Sequence, residues 1–176
     1  MSHEPLPSKP LRALYELADV ICSAIVLVAV LFSFFLRFAG VVGISMAPTL
    51  HNGQRLVITA FTSNPSHGDI VVVSEAGTQL SEVIVKRVVG LPGDVIDIDF
   101  DACTVSRNGE ILNEAYINAP TELRGDVDFP IVVETGTVFL LGDNRNRSQD
   151  SRTSTVGQVD QRFIMGRVIY PRNSKL

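Results

Sequence analysis

The hydrophobic positions of this chain follow two different patterns, and the change between them falls near residue 40. Residues 20–36 form an apolar run without a charged side chain, and 12 of its 17 residues are Leu, Ile, Val or Phe. At the rise of an α-helix, such a run spans roughly 25 Å of hydrocarbon. The pattern therefore predicts a single membrane-spanning helix over residues 17–38, preceded by an N-terminal segment at 1–16.

Two other structures fit an N-terminal apolar run of this kind. One is a buried core helix, which an unbroken apolar run of this length does not favour. The other is a cleaved secretory signal, whose apolar region usually covers only about 7 to 15 residues. Basic residues flank both ends of the run, with Lys9 and Arg12 before it and Arg37 after it. The flanking charges therefore do not fix which end of the helix faces the cytoplasm.

After residue 40 the apolar residues occur in short runs, rich in Val and Ile, that are separated by turn sequences. This pattern is typical of β-strands, and no helical periodicity runs through it. The dipeptide Asn108-Gly109 also predicts a tight hairpin turn. Eight strands are predicted, at residues 55–60, 69–74, 83–89, 95–99, 103–107, 131–134, 138–141 and 163–170.

The domain organisation that follows is mainly β. We expect a compact, largely antiparallel core built from residues 39–98 and 137–176. The stretch between them, residues 99–136, is more polar and less regular. It is expected to form an inserted hairpin or small β subdomain.

Charge and cysteine content narrow the function classes. Residues 39–176 carry 12 basic and 16 acidic side chains, so they hold the whole net charge of −4. Without a basic patch, nucleic acid is not an expected partner. Cys22 lies inside the apolar run and Cys103 far beyond it, so an intramolecular disulfide is not expected in this topology. The three histidines lack the spacing of metal ligands, and neither a metal nor a cofactor is expected.

Ser45 is the first candidate for chemistry. It lies nine residues beyond the apolar run, in a turn-like stretch where Gly43 and Ala47 leave room for a peptide backbone. A serine hydroxyl becomes a good nucleophile when a neighbouring base removes its proton. The N–H of Ser45 could also face a developing oxyanion. The same sequence is compatible with a simple turn beside a strand.

Lys86 is the candidate base. It is the only lysine between Lys9 and Lys175, and strand alternation places it on one face with Ile84 and Val88. At pH 7 only about one lysine in 2,500 with an ordinary pKa is neutral, so a lysine base needs burial to lower its pKa. The alternative is an edge-strand lysine whose ammonium reaches water.

A third candidate is the polar loop at residues 142–152, which follows the apolar strand predicted at 138–141. Its serines and its Asp and Arg residues suit a hydrogen-bonded scaffold that aims a catalytic amine. A solvated turn is the alternative reading of this loop.

Together these segments resemble the type I signal peptidases of bacteria. The resemblance rests on Ser45-Met46-Ala47-Pro48-Thr49-Leu50 and, in the same order along the chain, on residues 68–72, 86–94, 142–145 and 150–152. It implies a membrane-bound endopeptidase that removes signal peptides through an acyl-enzyme. It also implies a mainly β fold, in which one N-terminal transmembrane helix precedes a compact, largely antiparallel, barrel-like catalytic domain with a small β insertion.

By this resemblance Ser45 is the nucleophile and Lys86 the general base. Arg87 would pair with Asp143, and the Ser148 hydroxyl would orient the lysine. The residues on the family's supporting polar network are Ser148, Asp143, Asp150, Arg152 and Arg87.

The resemblance also implies an extended substrate with small side chains at the −1 and −3 positions, read by shallow pockets. Some family members carry a serine where this chain has Gly43, so here the oxyanion hole would depend on the Ser45 N–H and on water. The residues expected to border the substrate are Val41, Val42, Gly43, Met46, Leu50, Ile84 and Val85.

The same resemblance sets the expected location and partners. The catalytic domain would be extracytoplasmic and residues 1–16 cytoplasmic. The expected partners are preprotein signal peptides and membrane lipid, with the protein-export machinery as a further candidate. Two alternatives stay open: a non-catalytic, membrane-anchored assembly factor for surface proteins on the same fold, and an autoproteolytic serine–lysine repressor. The repressor would need a DNA-binding region in place of the apolar run.

Overall fold

A computed structural model of the chain describes residues 9–59 and 64–170. The chain divides between Leu36 and Arg37 into two compact units, an N-terminal helical unit and a β unit. The strand predicted at 55–60 can be compared only up to Thr59, because Ala60 lies outside the described residues.

The N-terminal unit is one helix, α1, which spans Lys9–Phe35. Its segment Pro10–Val30 is long and apolar enough to cross a membrane by length and composition. The single predicted helix is therefore present, with different bounds from the expected 17–38. It begins earlier, and it ends at Phe35 because the next residues, Leu36–Gly40, form a strand that belongs to a sheet.

The β unit contains eleven described strands arranged in two sheets. The first sheet has seven strands in the order β1-β2-β11-β3-β4-β9-β10, and the second has four in the order β7-β6-β5-β8. The strands are β1 Leu36–Gly40, β2 Arg55–Thr59, β3 Ile70–Val73, β4 Ile84–Gly90, β5 Val95–Asp99, β6 Thr104–Arg107, β7 Glu110–Ile111, β8 Ile131–Val132, β9 Thr137–Leu141, β10 Val159–Asp160 and β11 Ile164–Tyr170.

The mainly β, largely antiparallel fold is confirmed. Strands β2 to β6, β8, β9 and β11 correspond to the eight predicted ones, and their described pairings are antiparallel. Strands β1, β7 and β10 were not predicted, and the last two contain only two residues each. Within the described residues these pairings form two sheets with free ends and do not close a barrel.

Strand β4 lies inside the seven-stranded sheet, between β3 and β9. Its side chains reach three different buried apolar clusters: Ile84 and Val88 pack in one, Val85 against a second and Val89 in a third. Both faces of β4 are therefore covered, which explains why its sequence is an almost continuous apolar run. The two charged residues in the middle of this strand are buried with their neighbours.

The second sheet contains the predicted hairpin between β6 and β7. Asn108 and Gly109 have φ values of 54° and 83°, the left-handed backbone that a two-residue hairpin turn of this type requires. The sheet also includes β5, which we expected in the core segment 39–98. The long connection from β7 to β8 contains no described strand, yet it reaches back to the loop that follows β9.

Candidate active site

Ser45 lies in a tight turn between β1 and β2. The Ala47 N–H donates to the Ile44 carbonyl at 3.1 Å, and the Leu50 N–H donates to the Met46 carbonyl at 2.9 Å. The side chains of Met46 and Leu50 are buried in the core beside β2 and β3, so the turn is fixed to the sheet at two points. Ser45 itself is only half-buried, in contrast to Met46 and Leu50.

Lys86, on β4, contacts Ser45 although the two residues are 41 positions apart in the sequence. Its Nζ lies 2.9 Å from Ser45 Oγ, and the side chain is only 4% exposed. Burial lowers the pKa of Lys86 and outweighs the nearby carboxylates of Asp150 and Glu82, which act in the opposite direction. An amine that loses its proton more easily, at hydrogen-bond distance from a hydroxyl, has the geometry of a general base and its nucleophile.

Ser148 is the residue expected to orient Lys86. In the described part of the chain the Lys86 amine is hydrogen-bonded to Ser45 Oγ, and the Ser148 hydroxyl donates to the Gln149 carbonyl at 3.5 Å. The Ser148 hydroxyl is nevertheless buried close to the nucleophile turn. Its role as the orienting hydroxyl stays a prediction.

Gly142 explains why the loop can approach Ser45 so closely. A Cβ atom built on Gly142 would lie 2.1 Å from Ser148 Oγ and 2.6 Å from the Ser45 carbonyl oxygen. No side chain fits between the two, so the site requires a glycine here for reasons of space. Gly142 belongs to one of the sequence motifs, but no function was predicted for it.

Arg87, the neighbour of Lys86, points to the other side of β4 and forms the expected pair with Asp143. Its Nε and Nη2 atoms donate to the two carboxylate oxygens at 2.8 and 2.6 Å. Nη1 donates to the Gly68 carbonyl, and the guanidinium lies 3.9 Å from the centre of the Tyr116 ring. The Thr49 hydroxyl also donates to Asp143, so this buried pair ties the nucleophile turn to the loop after β9.

Asp150 and Arg152 form a second buried pair in the same loop. Arg152 Nε and Nη2 donate to the carboxylate at 2.8 and 2.9 Å, and Asp150 also accepts the Gly142 N–H at 3.0 Å. Arg152 further donates to the carbonyls of Arg145 and Leu123. The loop is therefore a buried hydrogen-bonded scaffold, as predicted, and not a solvated turn.

Arg145 is a buried residue of this loop to which the sequence analysis assigned no role. It is completely buried, and its two terminal nitrogens donate to Glu114 at 2.7 and 2.5 Å and to the Thr121 hydroxyl at 2.9 Å. Glu114 and Thr121 belong to the inserted segment 99–136. The only sequence signal was an unusual density of arginine in one loop, which does not identify a partner.

An open cleft of about 330 Å³ is lined in part by Ser45 and Lys86. Five of the seven predicted substrate-binding residues line it: Val41, Val42, Met46, Ile84 and Val85. Gly43 and Leu50 are not among the lining residues. Leu50 instead packs in the core with no exposed surface, because the turn after Met46 directs it inward.

The cleft also contains residues that the sequence analysis did not name. These are Ala39, Gly40, Val72, Glu82 and Val83. Most of the lining side chains are thus apolar, and Ser45, Lys86 and Glu82 are the polar ones. Among the described residues, no group of three or more His, Cys, Asp or Glu side chains could hold a metal ion.

Comparison with known proteins points to one family. A family model described as signal peptidase, peptidase S26, matches residues 14–172. Signal peptidase I of Bacillus licheniformis is 34% identical over an alignment of 176 residues, which covers 92% of this chain and 91% of that protein. The probable signal peptidase I-1 of Synechocystis is 33% identical, with 97% of this chain and 87% of that protein covered.

A crystal structure of a signal peptidase I from Enterococcus faecalis is also similar, with a TM-score of 0.43 and 25% sequence identity. The match covers 60% of this chain and 97% of the Enterococcus faecalis chain. The family assignment itself rests on the match over residues 14–172 and on the two relatives above 30% identity. This chain therefore belongs to the signal peptidase family, peptidase S26.

Proposed function

We propose that this chain is a membrane-anchored serine endopeptidase that removes signal peptides from exported preproteins. The observation that carries the proposal is the 2.9 Å contact between Lys86 Nζ and Ser45 Oγ, made by a lysine that is 4% exposed. Family membership supports the same activity, because the relatives are named signal peptidase I.

In the proposed mechanism the neutral amine of Lys86 accepts the proton of Ser45 as Oγ attacks the scissile carbonyl. The Ser45 N–H would stabilise the oxyanion of the tetrahedral intermediate. When the intermediate collapses, the ammonium of Lys86 would return the proton to the leaving amine, which is the new N-terminus of the mature protein. Water, deprotonated by Lys86, would then hydrolyse the ester between the signal peptide and Ser45.

The substrate would be an extended peptide that lies in the apolar cleft. Segments 39–42 and 82–85 both line it and would offer backbone groups to such a peptide. Met46, Val72 and Val85 are among the apolar residues that line the cleft. A shallow pocket with such a lining would suit small side chains, since larger ones would be excluded sterically. This supports the expected preference for small residues at −1 and −3.

Helix α1 fits a membrane anchor by its length and composition. Our proposal includes an orientation with residues 1–16 in the cytoplasm and the catalytic domain outside it, where exported chains are processed. Membrane lipid and the export machinery are the partners proposed with this topology. The non-catalytic assembly factor is not favoured, because such a protein has no use for a buried lysine on a serine hydroxyl.

The proposal is tested with the full-length protein in detergent micelles and a preprotein reporter. We expect a single cut after a small residue in wild type and no cleavage above background in Ser45→Ala, because the nucleophile is lost. Ser66→Ala, which removes an exposed hydroxyl outside the cleft, should cleave as wild type does. Absence of cleavage by folded wild type, or cleavage retained in Ser45→Ala, would contradict the proposal.

Glu82 gives a prediction on pH dependence. Its carboxylate raises the pKa of Lys86, against the larger effect of burial. Glu82→Gln should therefore lower the pKa of Lys86, so that the neutral base is available at lower pH and the rising limb of kcat/KM moves to lower pH. The matched control is Glu75→Gln, an exposed carboxylate that is not among the main causes of the shift in the pKa of Lys86. A limb that moves to higher pH, or moves equally in both variants, would refute this electrostatic coupling.

A further inference from the structure

We propose that Asn144 is a positioning residue that fixes the direction of the Ser45 N–H, and that Asn118 of the inserted segment fixes the amide of Asn144. The inference deepens the proposed function and rests on it. It would give the insertion a role in catalysis, and neither residue was assigned a role in the sequence analysis.

Asn144 holds the backbone on both sides of the nucleophile. Its side-chain Nδ2 donates to the Ile44 carbonyl at 3.0 Å, and its own backbone N–H donates to the Ser45 carbonyl at 2.9 Å. The residue is only 6% exposed, so water does not compete freely for these contacts. Two successive carbonyl groups of the turn are thus bound by one residue that is 100 positions away from Ile44.

The contact with Ile44 determines where the Ser45 N–H points. In a trans peptide the carbonyl of one residue and the N–H of the next lie in one plane and point in opposite directions. A donor that holds the Ile44 carbonyl therefore also helps to set the direction of the Ser45 N–H. The Ala47 N–H binds this carbonyl from within the turn, and Asn144 is the second donor, which binds it from outside the turn. Within residues 9–59 and 64–170, no acceptor is bound to this N–H, so it is available to an oxyanion.

Positioning matters here because Gly43 offers no hydroxyl as a second donor. Stabilisation of an oxyanion depends on donors that are already aimed at the position where the charge develops. A Ser45 N–H that could rotate with its peptide unit would lose part of this effect, even though the dyad stayed intact.

Asn118 explains why the amide of Asn144 has the required orientation. An asparagine side chain can present either its oxygen or its NH₂ group to a neighbour. The Asn118 Nδ2 group donates to Asn144 Oδ1 at 3.0 Å, which leaves the NH₂ group of Asn144 facing the Ile44 carbonyl. If the side-chain amide of Asn144 were reversed, its Oδ1 would face the Ile44 carbonyl oxygen and the hydrogen bond to Ile44 would be lost.

Asn146 provides a matched control from the same loop. Its Oδ1 accepts the backbone N–H groups of Glu122 and Leu123, both at 3.1 Å, so it also binds the inserted segment. It has no described contact with Ile44 or Ser45. If the substitutions act by a general loosening of the loop, Asn146→Ala and Asn144→Ala should lower kcat alike. If Asn144 positions the Ser45 N–H, only Asn144→Ala should lower kcat.

The test measures kcat, KM and the pH profile of the full-length protein with the preprotein reporter. We expect Asn144→Ala to lower kcat by about 10- to 100-fold, somewhat less than removal of an oxyanion donor, with KM changed by less than about 3-fold. Asn118→Ala should lower kcat by about 2- to 10-fold, the effect of one lost neutral hydrogen bond. The midpoint of the pH profile should not move, because neither residue contacts Lys86. Asn146→Ala should keep the wild-type kcat.

Three outcomes would overturn the positioning role while wild type still cleaves. They are equal losses of kcat in Asn144→Ala and Asn146→Ala, a loss expressed mainly in KM, and a shifted pH midpoint. If Asn144→Ala does not fold, Asn118→Ala decides alone, since an unchanged kcat there removes the proposed link to the insertion. Failure of wild type to cleave the reporter would instead overturn the proposed function, and the positioning role would fall with it.

Discussion

Lys86→Met should lower turnover of a preprotein by at least about 1,000-fold and leave the protein folded. General bases contribute roughly 100- to 10,000-fold, and loss of a group that activates the nucleophile lies at the upper end of that range or beyond it. Methionine has nearly the length of lysine and no charge. It can therefore fill the same buried position on β4, where Lys86 is only 4% exposed.

The same substitution should change how stability depends on pH. Burial lowers the pKa of Lys86 in the folded protein below its value in the unfolded chain. Between these two values the unfolded chain binds more protons, so the free energy of unfolding of wild type rises with pH through that window. At pH values below both pKa values, Lys86 is charged in the folded protein as well, and burial of the charged ammonium lowers the free energy of unfolding by its full amount. Lys86→Met lacks this dependence and should be the more stable protein at neutral pH.

Urea unfolding at several pH values, combined with reporter cleavage, checks both parts. Arg167→Met is the control, because it removes a cation that is 44% exposed from a strand of the same sheet. It should keep the wild-type activity and show no gain in stability at neutral pH, since exposed ion pairs contribute little. A Lys86→Met protein that keeps its activity would exclude the amine as the base.

The two members of the proposed dyad could be selected from the sequence because each has a local signature. Lys86 interrupts a continuous apolar run, and a strand with both faces covered forces such a lysine into the interior. Ser45 lies in a turn rich in small residues. Their distance of 2.9 Å is a property of the fold, since 41 residues separate them, and alternation along one strand contains no information about it.

The contribution of the insertion could not be predicted in the same way. Glu114, Asn118 and Thr121 lie in a polar stretch without periodicity, and each binds the loop after β9 through a side chain. Such contacts depend on how a long connection folds back, which no local pattern encodes. Strand β1 was missed for a related reason, because its apolar residues continue the run of the helix and only pairing within the sheet separates them.

Leu50 shows that membership of a motif does not determine what a side chain contacts. A motif places it beside the nucleophile, and the resemblance assigned it to the substrate pocket. Its side chain is completely buried with Leu56 and Ile58, so it anchors the turn from below. Residues that are close in sequence to a nucleophile can therefore serve the site or the core, and only the direction of the side chain decides which.

Asp143→Ala is expected to give the largest loss of stability of the substitutions considered. It removes the carboxylate that accepts two hydrogen bonds from Arg87, and both side chains are at most 1% exposed. Breaking such a pair leaves an uncompensated buried charge and typically costs about 3 to 5 kcal/mol in the free energy of unfolding. The Thr49 hydroxyl would lose its acceptor as well, so the nucleophile turn should loosen and activity should fall with stability.

Two further variants separate this cause from a general effect of truncation. Arg87→Met combined with Asp143→Ala should recover part of the lost stability, because the unpaired guanidinium is removed with its partner. Asp160→Ala breaks a pair with Arg162, whose side chain is 83% exposed, and should leave the urea midpoint close to that of wild type. If Asp143→Ala and Asp160→Ala unfolded at the same urea concentration, burial of the Arg87 pair would not be what stabilises this part of the site.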